Sequence, residues 1–596
     1  MSWTAEQVAK PPSVHSAKEK TASRYLYQHE IASTFRKPVP PPLLTASTRS
    51  FSLGSHSKAI KYGSGKHANV ELVPQPSDDA SDPLNWPRWR RDLNLVSLLM
   101  TAGLVGAMKT AFVSTSGSMA MHFATSYSAI AALSALPLFL SALTGLASCL
   151  AAKIWGKRPV YLVSALVLLI GCAWNATTRD SYGACMGARV LQGLGWGAFD
   201  TLVIASIQDT YFEHERSLPL SLYTLFVLAT TWGSPLLGGV ASHHDGSFTT
   251  QFAIISSLFA LALPLLVLGA PETAFDRPAP GSSPMRTPGL DFNMPRRRYP
   301  WRLGHWFHGR LVLAYLKQMK PVSYHGHVSM STFLQAPRAF VAPTTGLLAL
   351  LSLIPYSTLW GLALSLALLV SPAPLNLSPP RIGVLMAGPW LLASAVVGAF
   401  CFYRGFHSHF TRPISYTLVA AGSFLLLIGL LSFGLGLYNF MLSQPLRGPM
   451  MLFQPFSSQA ASQLSPALLS FQLGVLAAAV CVIDTATRPV LARSASFTSP
   501  RIAVAHRSMA DMNAGLVVMR SLAASAFVAA MPSLVSSPSG LKDLAIGLAV
   551  TQAVISLAVV LLWHFFEKTI WRADGRIMGL VDLRMLKYTG SFFDYN

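Results

Sequence analysis

The strongest constraint on this chain is a recurrence of apolar runs, each near the ~20 residues that a helix needs to cross a bilayer. They fall at 93–116, 130–152, 160–172, 184–207, 220–241 and 252–270, and again at 345–370, 382–403, 414–436, 466–487, 512–533 and 543–566. A polar, basic segment at 271–344 separates the two sets. Composition agrees: 12% of residues are charged and the mean hydropathy is +0.44, against a charged fraction of about 25% in soluble domains. The net charge of +21 would suggest nucleic acid in a soluble protein. Here the excess of Lys and Arg is assigned to loops on one side of a membrane, and no nucleic-acid partner is expected.

The loop charges set an orientation. One set of loops holds Lys153, Lys157 and Arg158, then Arg216, the run Arg296–Arg298, Arg404 and Arg412, Arg488, Arg493, Arg501 and Arg507, with Lys568, Arg572, Arg576, Arg584 and Lys587 after the last run. The other set holds little beyond Arg179, Arg381 and Arg447. Basic loops stay inside, so both termini are expected in the cytoplasm. Residues 1–92 read as a disordered cytoplasmic tail without an apolar signal segment, 93–270 as one six-helix half, 271–344 as a cytoplasmic loop, 345–566 as the other half and 567–596 as a tail. Trp86 and Trp89 with Arg88, Arg90 and Arg91 form an interfacial anchor before the first run. Two sequons, at Asn175 and Asn376, fall in loops assigned to the outside.

The fourth run is unusual because it carries Arg189, Gln192 and Asp200. Charge is expensive inside a membrane, so such residues face a cavity or one another. Arg189 and Asp200 share a helix face but stand ~16 Å apart along the axis, too far for contact within one helix. Asp200 is therefore expected to be free to load and release a proton. Arg189 would set the field or meet a substrate or a neighbouring helix; an interhelical bridge that only holds the bundle together is the competing reading. Gly193, Gly195 and Gly197 permit close approach of neighbouring helices.

Other charged positions divide the same way. Lys109 in the first run is expected to snorkel to the outer interface, or to bind an anionic substrate. Asp484 and Arg488 are spaced as an i,i+4 surface pair. Arg520 lies too deep in the eleventh run to be interfacial, and is expected to pair across the bundle or bind substrate. Pro235, Gly238, Gly239, Gly388 and Pro389 mark either bends near a cavity or plain close packing. His305, His308, His325 and His327 have spacings that could ligate a metal, but their setting reads as a solvated loop. The five cysteines lie in apolar runs without paired spacing, so no disulfide, metal site or cofactor is expected. The stretch 296–320 reads as a helix lying on an anionic membrane surface.

Several segments resemble the major facilitator superfamily, specifically multidrug-type proton antiporters. Asp82-Pro83-Leu84-Asn85-Trp86 is similar to the segment that precedes the first span of that group. Lys153-Ile154-Trp155-Gly156-Lys157-Arg158-Pro159 resembles its loop motif between spans two and three, and Arg189-Val190-Leu191-Gln192-Gly193 its fourth-span motif, whose arginine is associated with proton coupling. Trp232-Gly233-Ser234-Pro235-Leu236-Leu237-Gly238-Gly239 resembles the antiporter motif of span five; Pro271-Glu272-Thr273 and the stretch 209–216 also fit. The resemblance implies an all-α membrane protein of two six-helix bundles around a central cavity. It implies a monomeric, proton-coupled exporter of small organic molecules in the plasma membrane, with the vacuolar membrane as the alternative. Arg189, Gln192, Asp200, Arg520 and Lys109 would line the coupling and substrate cavity. Gly156, Lys157, Arg158, Gly233, Pro235, Gly238 and Gly239 would serve the conformational motifs. Two departures stand out. The loop motif usually has an aspartate where this chain has Lys153, so a relay that locks the outward-open state would lack its acid. Ser234 replaces a glycine of the antiporter motif. The first departure keeps a transporter-like sensor or inactive paralogue as the alternative, beside an uptake carrier of the same fold. Nucleotide-binding and hydrolase motifs are missing, so no enzyme is expected.

Overall fold

A computed structural model describes residues 61–63, 71–79, 81–242, 248–276, 319–324, 330–371, 377–402, 412–443, 465–498, 502–535 and 539–578. Among them, twelve helices are long and apolar enough to cross a membrane. In chain order these spans are Arg88–Lys109, Tyr127–Trp155, Lys157–Asn175, Tyr182–Thr210, Ser217–Ala241 and Thr249–Gly269, then Pro343–Leu364, Pro379–Cys401, Pro413–Phe440, Pro466–Ala495, Arg507–Val535 and Gly540–Ile577. The described polypeptide is nearly all helix, with a single isolated β-bridge between Tyr62 and Glu71.

The packing divides the spans into two sets of six. Spans one to six pack among themselves, as do spans seven to twelve. The sets meet mainly where the second span lies against the eleventh and the fifth against the eighth. Counting from the start of each half, the second and the fifth members meet in both cases, so the two seams are related by a two-fold exchange of the halves. The first and seventh spans repeat a further feature. Each stops near its far end, at Lys109 and at Leu364, and resumes as a short helix, Ser116–His122 and Leu366–Val370. These two short helices pack on each other. A repeat visible beforehand only in hydropathy is thus present in the backbone.

Glycine sets the closest approaches. A Cβ on Gly193 would lie 2.6 Å from the Pro137 Cα, and one on Gly197 2.3 Å from the Gly145 nitrogen, both on the second span. A Cβ on Gly195 would meet the Leu168 side chain of the third span at 2.5 Å. The fourth span therefore lies backbone to backbone with two neighbours, as small residues allow. Large apolar side chains such as Leu237, Val163 and Leu261 point outward and are exposed, while Arg189, Gln192 and Ser206 are fully buried. This inside-out distribution suits a lipid solvent.

Several boundaries and loops differ from expectation. The first span ends at Lys109 instead of 116, and the third continues to Asn175. Asn175 itself is completely buried and accepts a hydrogen bond from Thr178 at 3.1 Å, so this sequon has no room for a glycan. Asn376 lies outside the described residues, as do His305, His308, His325, His327 and nearly all of 296–320. The central segment contains the helix Met330–Val341, which packs on the eleventh span. Part of the expected disordered tail is built into the fold. Lys61 pairs with Asp78 at 2.6 Å, and the Val73 carbonyl accepts the Glu213 N–H at 2.8 Å. Asp82 and Asn85 hold this strap: Asp82 accepts the Ser77 and Leu84 N–H groups, and the Asn85 amide donates to the carbonyls of Ser77 and Asp79.

Replacing Gly197 by Leu forces the fourth span off the second. Overpacking of this kind costs typically 1–3 kcal/mol or more. The Gly197→Leu protein is expected to melt well below wild type in detergent, whereas Leu261→Ala on the outer face changes the melting point little. Equal melting of Gly197→Leu and wild type would contradict the packing.

Candidate functional site

The charged residues of the fourth span reach different parts of the bundle. Arg189 is fully buried, and its Nε donates to the Leu133 carbonyl at 2.9 Å. Its Nη1 donates to the Met108 carbonyl at 3.1 Å and to Gln192 Oε1 at 2.7 Å. Gln192 passes the link on, donating to the Gly171 carbonyl at 3.0 Å. The guanidinium lies over the rings of Phe112 and Trp196 at 4.7 and 5.0 Å. Arg189 and Gln192 thus tie spans one to four into a knot. Arginine serves this role through its flat fork of donors.

Asp200 does not stand free. The Lys109 ammonium lies 2.5 and 2.7 Å from its two carboxylate oxygens. The expected snorkelling of Lys109 is therefore overturned, and helix geometry gives the reason. Side chains tilt toward the start of their helix, so a lysine on the last residue of a span points back along it toward the bundle interior. The Trp196 ring lies between the two cations, 5.7 Å from the Lys109 nitrogen. Arg189 and Asp200 remain apart, as their spacing predicts.

The second half carries a counterpart. Arg520 donates from Nη1 to Asp484 at 2.6 Å and from Nε to Ser352 Oγ at 2.8 Å, and lies over the Tyr356 ring at 5.8 Å. This is the cross-bundle partner expected for Arg520. It corrects the pairing of Asp484 with Arg488: Arg488 instead donates to Thr224 Oγ1 on the fifth span at 2.9 Å. Asp484 keeps 35% of its side chain exposed although it lies well inside the tenth span, and Asp200 keeps 17%. Both carboxylates therefore border space inside the bundle. The Trp360 ring is tilted against Tyr356 at 5.8 Å and against Trp232 of the other half at 5.3 Å, forming an aromatic cluster shared by both halves.

The loop motif, Gly156, Lys157 and Arg158, lies at the end of the bundle where Arg88 and Ile577 lie. Gly156 has φ +90°, a conformation that side chains resist, and a Cβ there would meet Glu272 at 2.2 Å. The Glu272 carboxylate accepts the N–H groups of Lys157 and Arg158 at 3.0 and 2.9 Å, capping the start of the third span. Lys157 pairs with Asp209 at 2.6 Å, while Arg158 donates to the carbonyls of Val267 and Ala270. Arg91 pairs with Glu215 at 2.8 Å. Burial pushes the neighbouring Tyr211 phenol above its ordinary value, and the adjacent Asp92 carboxylate adds to the shift.

Lys153, the departure from the loop motif, reaches Asp511 of the eleventh span at 2.7 Å. The lysine thus has an acid partner, on the eleventh span of the other half. In the antiporter motif, Gly239 lies against the eighth span, where a Cβ would meet the Pro379 carbonyl at 2.7 Å. Gly233 faces Trp390, while Gly238 faces Gln251, which donates to the Gly238 carbonyl at 2.8 Å. Pro235 carries the carbonyl that a Cβ on Gly383 would meet at 2.6 Å. The close-packing reading of this run holds.

The sequence profile of the Major Facilitator Superfamily matches residues 98–561. The chain belongs to the major facilitator superfamily. An uncharacterized MFS-type transporter of Schizosaccharomyces pombe is 29% identical over 40% of each chain. The protein HOL1 of Saccharomyces cerevisiae is 26% identical over 37% of each, and an MFS-type efflux pump of Mycosarcoma maydis 26% over 38% of each. The chain thus spans about two fifths of the length of these curated relatives. The proton:xylose symporter XylE shares the fold, with a TM-score of 0.50, 14% identity, and 80% of this chain and 96% of that one covered.

Reading the spans one at a time missed the partners Asp209, Glu272, Asp484 and Asp511. A charge count would have found some of them, because every acid deep in a span needs a cation nearby. Lys153→Asp sets two acids against each other across the halves and is expected to lower the melting point. A like-charge contact at such a seam costs roughly 2 kcal/mol or more. The double variant Lys153→Asp/Asp511→Lys should recover most of the loss, and failure to recover would remove the pair from the seam.

Proposed function

We propose that the chain is a secondary active transporter that exports small organic molecules in exchange for protons by alternating access, as a monomer in the plasma membrane with both termini in the cytoplasm. The Lys109–Asp200 pair carries this reading. A carboxylate held by an ammonium in a low-dielectric interior binds a proton only by giving up that attraction. Protonation of Asp200 therefore releases Lys109, and with it the end of the first span where the helix breaks at Thr110. Proton loading is in this way tied to movement of one span against another. Tyr356, which lies against Arg520, is the residue we propose to carry the change into the second half. The name of the M. maydis relative, an efflux pump, supports export. The alternative of a transporter-like sensor or inactive paralogue rests on Lys153 standing in place of the loop-motif aspartate; the Lys153–Asp511 pair keeps a charged contact at that place, which favours the transport reading.

Flux into proteoliposomes under an imposed pH gradient tests the proposal, after a panel of labelled drugs and organic acids has identified a driven solute. Wild type accumulates that solute uphill. Asp200→Asn should keep exchange but lose uphill accumulation, falling to the passive level. Because this variant leaves Lys109 buried without its partner, Lys109→Met/Asp200→Asn is made beside it and should insert at wild-type level while remaining uncoupled. Uphill accumulation by a well-inserted Asp200→Asn protein would place the proton site elsewhere.

A second test concerns the seam. Gly239→Leu pushes the fifth span off the eighth, so the two halves no longer close at that end. It should reach the membrane yet fall to background flux, and wild-type flux would contradict the role of the contact.

A further inference from the structure

The charges around the internal space do not balance. Among the described residues, the cations Lys109, Arg488 and Arg520 stand around the carboxylates Asp200 and Asp484. Lys109 and Arg520 already hold both acids. Arg488 is left over. It makes no ion pair among the described residues, and its one hydrogen bond goes to Thr224 Oγ1 in the opposite half, at 2.9 Å. Its charge is nevertheless felt by Asp484 and by Tyr223. Arg189, a further cation, is held through Nε and Nη1 by carbonyls and Gln192, without an ion pair among the described residues, and its buried Nη2 has no hydrogen-bond partner. The interior of the bundle thus carries a surplus of positive charge.

A guanidinium within a span and without an ion pair of its own is expensive, and a carboxylate is the partner its fork fits best. Arg488 stands one helical turn from Asp484, toward the end of the bundle where the termini lie, and faces the fifth span across the seam between halves. Farther along the fifth span from Thr224, Trp232 meets Trp360 and Tyr356 in an apolar cluster drawn from both halves.

We infer that the transported molecule is an organic anion, a carboxylate on an apolar or aromatic body, with Arg488 receiving the carboxylate and the Trp232–Trp360–Tyr356 rings packing the body. This rests on the transport reading of the same site and names its substrate class. A cationic substrate is disfavoured by the same geometry, since it would have to displace Lys109 or Arg520 from an acid while adding to the surplus. An anion instead neutralises Arg488 and draws the fifth and tenth spans together.

Equilibrium binding to the purified full chain in nanodiscs, without any gradient, tests the inference independently of proton coupling. The probes are radiolabelled benzoate, indole-3-acetate and octanoate, each beside its primary amide and its amine counterpart. The expected result is that at least one carboxylate binds about tenfold more tightly than its amide, the amine being weaker still. Arg488→Gln should erase the preference for carboxylate over amide, and Arg488→Lys should restore part of it. Thr224→Val, which removes only the hydroxyl partner, should leave the preference in place. Tighter binding of amines, or no carboxylate binding above its amide, overturns the inference. A preserved preference in a folded Arg488→Gln protein overturns the assignment of that residue. A carboxylate that binds as expected while the pH-gradient assay shows no coupling would leave the substrate class standing and remove the antiport reading.

Discussion

Charge inside a hydrocarbon solvent must be neutralised within the protein, and the arrangement of this molecule follows from that requirement. Lys109 and Asp200 satisfy each other across spans one and four, and Arg520 and Asp484 across spans eleven and ten. Neither acid has its cation on its own helix. Each pair therefore fixes the rotation of two helices at once, and brings both acids to the inner surface of the bundle. Glycines on the fourth span then allow the backbones to close around these groups. A lipid-facing bundle gains little from burying apolar side chains, so polar pairs and close backbone packing have to supply what a core supplies in water.

The spans, their number and their grouping into halves were legible in the sequence because hydrophobic length is a local property. The glycine contacts at 193, 195, 197 and 239 were legible for a similar reason, since small residues in an apolar run have few other uses. Partners were not legible. Lys109 was read as a snorkelling residue from its place near the end of a run, yet the tilt of helical side chains turns it inward onto an acid 91 residues away. Asp484 was given the nearest cation in sequence, and the fold gave it Arg520 instead. Sequence spacing predicts contacts along one helix. It carries no information about which helices will stand side by side.

The pair of short helices after the first and seventh spans shows what the repeat contributes. Both spans break at corresponding places, and the continuations meet where a Cβ on Gly117 would lie 2.1 Å from Ser371 Oγ. The two halves thus touch at this end through their first members and through the fifth and eighth spans. At the opposite end they touch through Lys153–Asp511, and Arg488–Thr224 joins the fifth and tenth spans. Contacts between the halves therefore exist at both ends of the bundle among the described residues.

The Lys153–Asp511 pair also bears on engineering. Joining a first half that carries aspartate at the place of Lys153 to the second half of this chain would set acid against Asp511. The two halves of this protein are therefore a matched set. Neither position can change sign alone without weakening this contact, so a half-for-half chimera of that kind needs both residues moved together.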